Sequence, residues 1–254
     1  MANYLYGINA IHEALQQHRL VSTLWVLRGD TKPRVQVILQ LALAAGVAVK
    51  RVQRADLDHL VGKVAHQGVI AQVTIAEKSA SVSGLLQNTP VGQRFFLVLD
   101  GVTDPHNFGA LIRSAAAAGC QAVIVAKDRS CPLTAVVEKT AAGAVAHISI
   151  CRVTNLVRAL DELKDAGVWV YGLVGEEGRC LYEVNLSGDV ALVAGSEGKG
   201  LRPLVRKGCD MLVTIPMPGA AESLNVSVAS GVALFEVVRS RVGAKRMAIE
   251  KRIV

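Results

Sequence analysis

Aromatic side chains are scarce in this chain. Tryptophan, tyrosine and phenylalanine make up 4% of its 254 residues, whereas hydrophobic residues of all kinds make up 51%. A large core must therefore be built from valine, leucine, isoleucine and alanine. This composition favours buried parallel strands covered by helices, and the length allows one or two domains.

Cysteine is also sparse, and its spacing argues against a metal site or a disulfide framework. There are five cysteines, an odd number, and the nearest two, Cys120 and Cys131, are eleven positions apart. Structural zinc sites usually use closely spaced cysteine pairs, so we expect no bound metal. Unpaired thiols are typical of a reducing compartment, which favours a cytoplasmic protein.

Long apolar runs are missing as well. A membrane-spanning helix needs about 20 predominantly apolar residues, and no uninterrupted run approaches that length. The segment Met1-Ala2-Asn3-Tyr4 does not begin a basic stretch followed by an apolar one, so no signal peptide is predicted. We therefore expect no membrane partner.

Positive charge is concentrated near the two ends of the chain. Residues 1–76 carry eight Lys/Arg against four Asp/Glu, and residues 239–254 carry six against one, whereas residues 77–238 carry fourteen against sixteen. The net charge of +7 favours a nucleic-acid partner, although each patch is also compatible with ordinary solvated surface. The candidate phosphate contacts are Arg19, Arg28, Lys32, Arg34, Lys50, Arg51 and Arg54, with Lys245, Arg246, Lys251 and Arg252 in the tail.

Residues 1–75 have the pattern of a small α/β unit. Three β-branched or alternating segments predict strands, and Pro33 begins a helix that ends before Gly46. The predicted strands lie at 22–27, 47–52 and 68–75. The unit is too small to be a complete doubly wound enzyme, so we expect an accessory domain.

Residues 76–92 are rich in Ser, Gly, Asn and Pro and lose the apolar periodicity, which predicts an interdomain linker. Strands and helices alternate again through residues 93–254. Such alternation indicates a mostly parallel sheet covered on both faces. We expect this second domain to carry the chemistry.

Three polar, turn-forming segments follow predicted strands of the second domain. They are LDGVTDPHNFGALIRSA (99–115), ALVAGSEGKGL (191–201) and TIPMPGAAESLNVSVASGVALFE (214–236). Ligands bind beyond the carboxyl ends of parallel strands, so these segments are candidates for a shared site. Taken singly, each is also compatible with a capped surface helix, a glycine turn or a core helix with a polar start.

The glycine-rich segment does not match two common nucleotide-binding loops. A P-loop has Lys and then Ser or Thr after its last glycine, whereas Gly200 is followed by Leu201 and Arg202. A dinucleotide loop would have a third glycine where this chain has Pro203. Nucleotide hydrolysis is therefore the least favoured activity.

Taken together, the three segments resemble the three motifs of the SpoU (TrmH-type) RNA ribose 2′-O-methyltransferases, in the SPOUT superfamily. The resemblance lies in their order along the chain, their spacing and their amino-acid sequences. The stretch from Asn107 to Arg113 resembles the first motif, GSEGKGL the second and IPMPG…SLNVSVA the third. YLYGINAIHEAL near the N-terminus and HQGVIAQV (66–73) are similar to one subfamily. Its members methylate a guanosine in the peptidyl-transferase P loop of 23S rRNA.

This resemblance implies an α/β fold in which a trefoil-knotted, parallel-sheet methyltransferase domain follows a small L30e-like RNA-binding domain. It implies S-adenosyl-L-methionine as the cofactor, 23S rRNA as the partner and a homodimer with the site near the subunit interface. Two alternatives stay open. One is 2′-O-methylation of transfer RNA, which the accessory N-terminal domain disfavours, and the other is a non-catalytic RNA-binding ribosome-assembly factor.

The resemblance also implies roles for nine residues. Arg113 matches the family's catalytic arginine. An arginine side chain ordinarily stays protonated and is a poor base, so we expect Arg113 to bind the phosphate beside the target ribose and to orient the 2′-hydroxyl. Asn107, Glu197 and Asn225 would hold the arginine and the ribose in register. The implied cofactor contacts are Gly195, Ile215, Met217, Ser223 and Leu224.

Overall fold

The structure, a computed structural model, divides the chain into two compact units. The first contains Met1–Ala76 together with Leu133–Lys139, and the second contains Glu77–Pro132 and Thr140–Val254. The described residues are 3–16, 20–62, 64–74, 80–220 and 223–253, without the side chains of Asn3, Leu20, Thr74 and 245–253. Within these residues, no helix combines the length and apolarity that crossing a membrane requires.

Five of the candidate phosphate contacts lie outside this description. Arg19 falls between two described ranges, and the tail cations belong to the segment whose side chains are not described. These tail residues are Lys245, Arg246, Lys251 and Arg252. Their predicted contacts with RNA remain predictions.

The first unit is a small α/β fold, as the sequence predicts. Its sheet has the order β1-β4-β2-β3, with β4 antiparallel to both neighbours and β2 parallel to β3. The strands are β1 (Asn3–Tyr6), β2 (Leu20–Leu27), β3 (Ala48–Val52) and β4 (Val69–Thr74). The helices are α1 (Ile8–Gln16), α2 (Pro33–Ala44) and α3 (Arg54–Val61). Sequence reasoning missed β1 because four residues are too few to display an alternation.

The core of the first unit lies between one face of this sheet and helices α1 and α2. Leu24 and Val26 of β2 are fully buried with Ile11 of α1 and Ile38 of α2. Successive strand residues point to opposite faces, so Trp25 lies on the other face of the sheet. The two faces therefore have different surroundings.

The segment predicted as a linker contains a helix of the second unit, α4 (Val82–Asn88). The Ser81 hydroxyl caps it by accepting a hydrogen bond from the Gly84 N–H at 3.1 Å. Val82 and Leu85 are buried in the core of the second unit. A helix of seven residues with two buried side chains is too short to show a helical periodicity of apolar residues. Its Ser, Gly and Asn content therefore led to the prediction of a loop. Residues 82–88 of this segment are therefore helical and pack into the second unit.

The second unit has a seven-stranded sheet in which every neighbouring pair is parallel, in the order β7-β6-β5-β10-β8-β11-β9. The predicted parallel sheet is confirmed. The strands are β5 (Phe95–Asp100), β6 (Ala122–Ala126), β7 (Ser149–Val153), β8 (Trp169–Leu173), β9 (Arg179–Cys180), β10 (Val190–Gly195) and β11 (Met211–Thr214). All residues of β5 and β10 are buried, as expected for central strands covered on both faces.

Two long helices start close to the carboxyl edge of this sheet. Helix α5 (Pro105–Ala117) begins after β5, and α9 (Val226–Ile253) begins after β11 and packs against α5. The other helices of this unit are α7 (Leu156–Asp165) and α8 (Pro203–Gly208), whereas most of α6 (Ala135–Ala141) lies in the stretch Leu133–Lys139 that groups with the first unit. Strand β10 comes after β8 and β9 in the sequence, yet it lies between β5 and β8 in the sheet. The chain therefore reverses its direction of winding at β5 and β10, which is where ligands bind in open α/β sheets.

Candidate active site

A cavity of about 340 Å³ lies beyond the carboxyl ends of β8, β10 and β11. The loop after β10 and the segment that leads into α9 form most of its wall. Apolar side chains supply much of the remaining surface, with Leu173 and Val174 from β8 and its following turn, and Val213 from β11. The second and third sequence motifs thus share one cavity.

The loop after β10 is unusually tight. Ser196 and Gly200 exchange two backbone hydrogen bonds, of 3.1 and 2.9 Å. Gly198 and Gly200 adopt φ values of +79° and +63°, which glycine tolerates readily. A Cβ atom at Gly195 would lie 2.1 Å from the carbonyl carbon of Gly200. The loop can therefore fold back on the strand only if residue 195 has no side chain.

A buried carboxylate fixes the far side of this loop. Asp100, the last residue of β5, is 1% exposed. Its two oxygens accept hydrogen bonds from the backbone N–H of Arg202 at 2.8 Å and from the Arg202 Nε at 2.6 Å. Sequence reasoning missed this pair. The available signal was a carboxylate directly after five apolar residues of a central strand.

Side chains from all three motifs meet in one hydrogen-bonded network. The Asn225 Nδ2 donates to Asn107 Oδ1 at 3.0 Å and to Glu197 Oε1 at 3.4 Å. The Asn107 Nδ2 donates to Glu197 Oε2 at 3.2 Å. Each oxygen of the Glu197 carboxylate therefore accepts one amide N–H, and the three side chains hold one another in place.

Helix caps position the two asparagines of this network. The Asp104 side chain accepts a hydrogen bond of 2.7 Å from the Asn107 N–H and caps α5, with Pro105 in the first turn. An acidic residue followed by proline is a common start of a helix. Asn225 precedes α9, and its side-chain oxygen accepts bonds from the N–H and hydroxyl of Ser227 at 2.9 and 2.6 Å. Capping leaves each amide nitrogen free to join the network.

Arg113 lies on α5, six residues after Asn107 and therefore about 9 Å further along the helix axis. Its side chain is exposed and does not line the cavity. His106, seven residues earlier, lies on the same side of α5 and is also exposed. The structure thus puts Arg113 on the helix that carries Asn107, and its guanidinium contacts neither Glu197 nor Asn225.

All five predicted cofactor contacts line the cavity: Gly195, Ile215, Met217, Ser223 and Leu224. Sequence reasoning missed Ser230, on the second turn of α9. This serine lines the same cavity, is fully buried and has no hydrogen-bond partner for its hydroxyl among the described residues. Since a buried polar group without a partner is costly, a hydrogen bond from a ligand in this cavity would satisfy the Ser230 hydroxyl.

Among the residues that the structure describes, no cysteine lines the cavity. Among the described residues, no group of three or more potential ligands is arranged to hold a metal ion. Burial raises the pKa of Cys151 to about 11 and that of Cys209 to about 12. A thiol with so high a pKa is protonated at neutral pH and is a weak nucleophile.

Both units match known families. Residues 94–235 match the SpoU rRNA methylase family, and residues 4–79 match the family described as RNA 2′-O ribose methyltransferase substrate binding. A similar curated relative is the 23S rRNA (guanosine-2′-O-)-methyltransferase RlmB of Xanthomonas campestris pv. campestris. It is 48% identical over 244 residues, which cover 95% of this chain and 98% of the relative.

A second relative of the same name, from Haemophilus influenzae, is 44% identical over 249 residues and is covered completely, with 96% of this chain aligned. A crystal structure of an AdoMet-bound rRNA methyltransferase from Sinorhizobium meliloti resembles this fold with a TM-score of 0.77 at 26% identity. That likeness covers 94% of this chain and 87% of the other. The family model matches more than half of this chain, and the relatives align over nearly all of it. This chain therefore belongs to the SpoU rRNA methylase family.

Proposed function

We propose that this protein transfers a methyl group from S-adenosylmethionine to the ribose 2′-hydroxyl of a guanosine in the peptidyl-transferase P loop of 23S rRNA. The observation that carries the proposal is the meeting of three distant motif segments at one cavity, through Asn107, Glu197 and Asn225. The name and near-complete alignment of the RlmB relatives support the guanosine of 23S rRNA as the target.

The cavity suits S-adenosylmethionine in size and in lining. Its volume of about 340 Å³ lies at the lower end of the range of small-molecule sites, about 300–1,000 Å³. Apolar side chains can pack against the adenine, and backbone groups near Gly195 and Ile215 can bind its polar edge. The unpartnered Ser230 hydroxyl offers one further polar contact. When bound, the cofactor supplies an electrophilic methyl group on a sulfonium.

The protein's own part in this reaction is to position a weak nucleophile. A ribose hydroxyl is barely acidic, so its orientation and the removal of its proton limit the rate. We assign the adjacent phosphate to Arg113, whose planar guanidinium can form two parallel hydrogen bonds with phosphate oxygens. Asn107, Glu197 and Asn225 hold one another by hydrogen bonds at the cavity and would keep the ribose in register.

The direct test is methyl transfer to defined RNA. The full chain would be incubated with S-adenosylmethionine and either a 23S rRNA fragment that carries the P loop or a transfer RNA transcript. Ribose methylation would then be mapped by nucleotide-resolution mass spectrometry. We expect a single modified guanosine in the rRNA fragment. Modification of the transfer RNA alone would favour a transfer RNA 2′-O-methyltransferase. If calorimetry detected no binding of S-adenosylmethionine, a non-catalytic RNA-binding factor would be favoured.

The subunit arrangement is part of the same proposal. Val228, Phe235 and Val242 are spaced by seven residues on α9, and about half of each side chain is exposed. Seven residues are two helical turns, so the three form one apolar stripe. Leu224, which lines the cavity two residues before α9 begins, is also exposed. We infer a homodimer that buries the stripe against a second copy, close to both cavities.

Replacing Phe235 by aspartate is expected to convert the dimer to a monomer, because a carboxylate would be buried in an apolar contact. Sedimentation velocity across a dilution series measures the effect. Tyr182, which is 50% exposed and lies on a 3₁₀ turn outside this stripe, gives a matched control as Tyr182→Asp. A wild-type protein that stays monomeric at every concentration would contradict the proposed dimer.

Replacing Ser230 by alanine should affect stability and cofactor binding in opposite directions. Removing an unpartnered buried hydroxyl leaves the free energy of unfolding unchanged or raises it, whereas losing a hydrogen bond to the ligand costs about 0.5–1.5 kcal/mol. We expect a two- to tenfold rise in the Kd for S-adenosylmethionine. Calorimetry and thermal unfolding measure the two effects, and an unchanged Kd would exclude Ser230 as a ligand contact.

Two further elements of the proposal follow from family membership and from the cysteine pattern. We infer that the segments around β10, β11 and the cavity form the trefoil knot of the SPOUT superfamily. We also place the protein in the cytoplasm, where its rRNA substrate is made and where thiols stay reduced.

A further inference from the structure

The four-stranded sheet of the first unit has one face that helices cover only in part. The face opposite the core carries Tyr4 and Tyr6 from β1, and Thr23 and Trp25 from β2. Helix α3 packs against β1 and β2, and its Leu57 is fully buried. Tyr4 and Trp25 stay partly exposed, and Lys50 on the edge strand β3 is exposed. We call Tyr4, Trp25 and Lys50 the aromatic face.

Trp25 lies between the other two side chains and interacts with each of them across the strands. The rings of Tyr4 and Trp25 meet edge to face, with centroids 5.7 Å apart and planes inclined by 68°. Lys50 is the cross-strand neighbour of Trp25, and its Nζ lies 5.8 Å from the centroid of the Trp25 ring. An indole held by a neighbouring ring on one side and a cation on the other has a fixed orientation.

The aromatic face belongs to a unit with a surplus of positive charge. The first 76 residues carry a net charge of +4, and Lys50 lies against the Trp25 ring on this face. The nearby carboxylates of α3 already have partners. Asp58 contacts His66 at 3.2 Å and Arg54 at 3.9 Å, and Asp56 accepts a hydrogen bond from the Gln53 N–H at 3.0 Å.

Partly exposed aromatic rings beside cations are the combination that binds unpaired nucleotides. Every base presents a π face that stacks on an aromatic side chain, and Lys or Arg binds the adjoining phosphate. A regular duplex cannot use such a surface because its bases are already stacked within the helix. Aromatic residues are scarce in this chain, yet three of them, Tyr4, Tyr6 and Trp25, lie on the same face of this small sheet.

We propose that the aromatic face is a stacking platform for an unpaired base of the RNA substrate, with Lys50 binding the adjacent phosphate. The proposal rests on the proposed function for the identity of the RNA. It goes beyond that function by assigning the RNA contact to one face of the first unit, and it predicts a preference for single-stranded loops over duplex.

Trp25 itself can report on this contact. The chain has two tryptophans, so Trp169→Phe leaves Trp25 as the only indole fluorophore. The probe is a single-stranded RNA of about ten nucleotides with the P-loop sequence, a length within the range of single-strand sites, and the control is the same sequence in a duplex. We expect the single strand to quench Trp25 emission and the duplex to leave it unchanged.

Affinity gives a second measurement. Trp25→Leu, which keeps an apolar side chain but removes the ring, should raise the Kd for the single-stranded RNA about tenfold or more. Trp169→Leu is the matched control, because Trp169 also lies beside a tyrosine ring, that of Tyr171, but on the second unit. Lys50→Met should lower the slope of log Kd against the logarithm of the salt concentration by the amount expected for the loss of about one phosphate contact.

The possible outcomes separate the two proposals. The stacking platform would be overturned if a folded Trp25→Leu variant kept its RNA affinity, or if single strand and duplex quenched Trp25 equally. Either result is compatible with methyl transfer by the wild type, so the proposed function would stand. A change in Trp25 emission with protein concentration alone would identify the face as a contact between copies and would also overturn it. RNA stacking on Trp25 without any methyl transfer would instead contradict the proposed function.

Discussion

Replacing Arg113 by alanine is expected to lower the rate of methyl transfer about 100- to 1,000-fold, the usual effect of removing one preorganised electrostatic contact. The side chain is exposed, lies outside the cavity and has no hydrogen bond to a described residue. Folding and cofactor binding should therefore be retained. Single-turnover methylation of the 23S rRNA fragment measures the rate, and calorimetry with S-adenosylmethionine measures the retained binding.

A matched control for this variant is Arg158→Ala. Arg158 is another exposed arginine on a helix of the second unit, and its only described ion pair is with Glu162 at 3.5 Å. The Arg158 variant should methylate at the wild-type rate. A near-normal rate for Arg113→Ala would remove this residue from the reaction and leave the phosphate beside the ribose to another cation.

Replacing Gly195 by alanine is expected to abolish measurable binding of S-adenosylmethionine. The added Cβ would meet the Gly200 backbone at 2.1 Å, whereas ordinary contact begins at 3.4 Å, so the loop must move by more than an ångström. A displacement of about 1 Å at a site costs about 100-fold in function. Overpacking of this kind should also lower the free energy of unfolding by about 1–3 kcal/mol.

Gly188→Ala provides the control for this substitution. A Cβ at Gly188 has no atom within 4 Å, and the residue is remote from the cavity lining. Thermal unfolding and calorimetry should find the Gly188 variant close to wild type. Unchanged cofactor affinity in Gly195→Ala would mean that the loop after β10 tolerates a side chain, and that its fold does not shape the cavity.

Much of the site was predictable because its residues lie in short motifs at strand ends. Gly195, Ile215, Met217, Ser223 and Leu224 all line one cavity. The cap at Asp104 also follows a local rule, since a carboxylate before proline is a common start of a helix. Helix α4 was missed because a short helix rich in Ser, Gly and Asn has the composition of a loop.

Other parts of the site depend on packing that no local pattern encodes. Ser230 is one of several small residues in its helix, and only the packed structure leaves its hydroxyl buried and without a partner. The pair of Asp100 and Arg202 joins positions 102 residues apart. Periodicity reports on neighbouring turns and strands, so it carries no information about such pairings.

The sequence by itself determined the alternation of strands and helices, the aliphatic core and the three motifs that identify the family. Each of these is written in local spacing and residue type. Only the tertiary structure decided that β10 lies between β5 and β8 and that Asn107 meets Glu197, 90 residues away, and Asn225, 118 residues away. It likewise decided that Tyr4 and Trp25 share one sheet face. The physical reason is that strand order and register follow from burying the whole core at once, and a short stretch of sequence cannot specify that outcome.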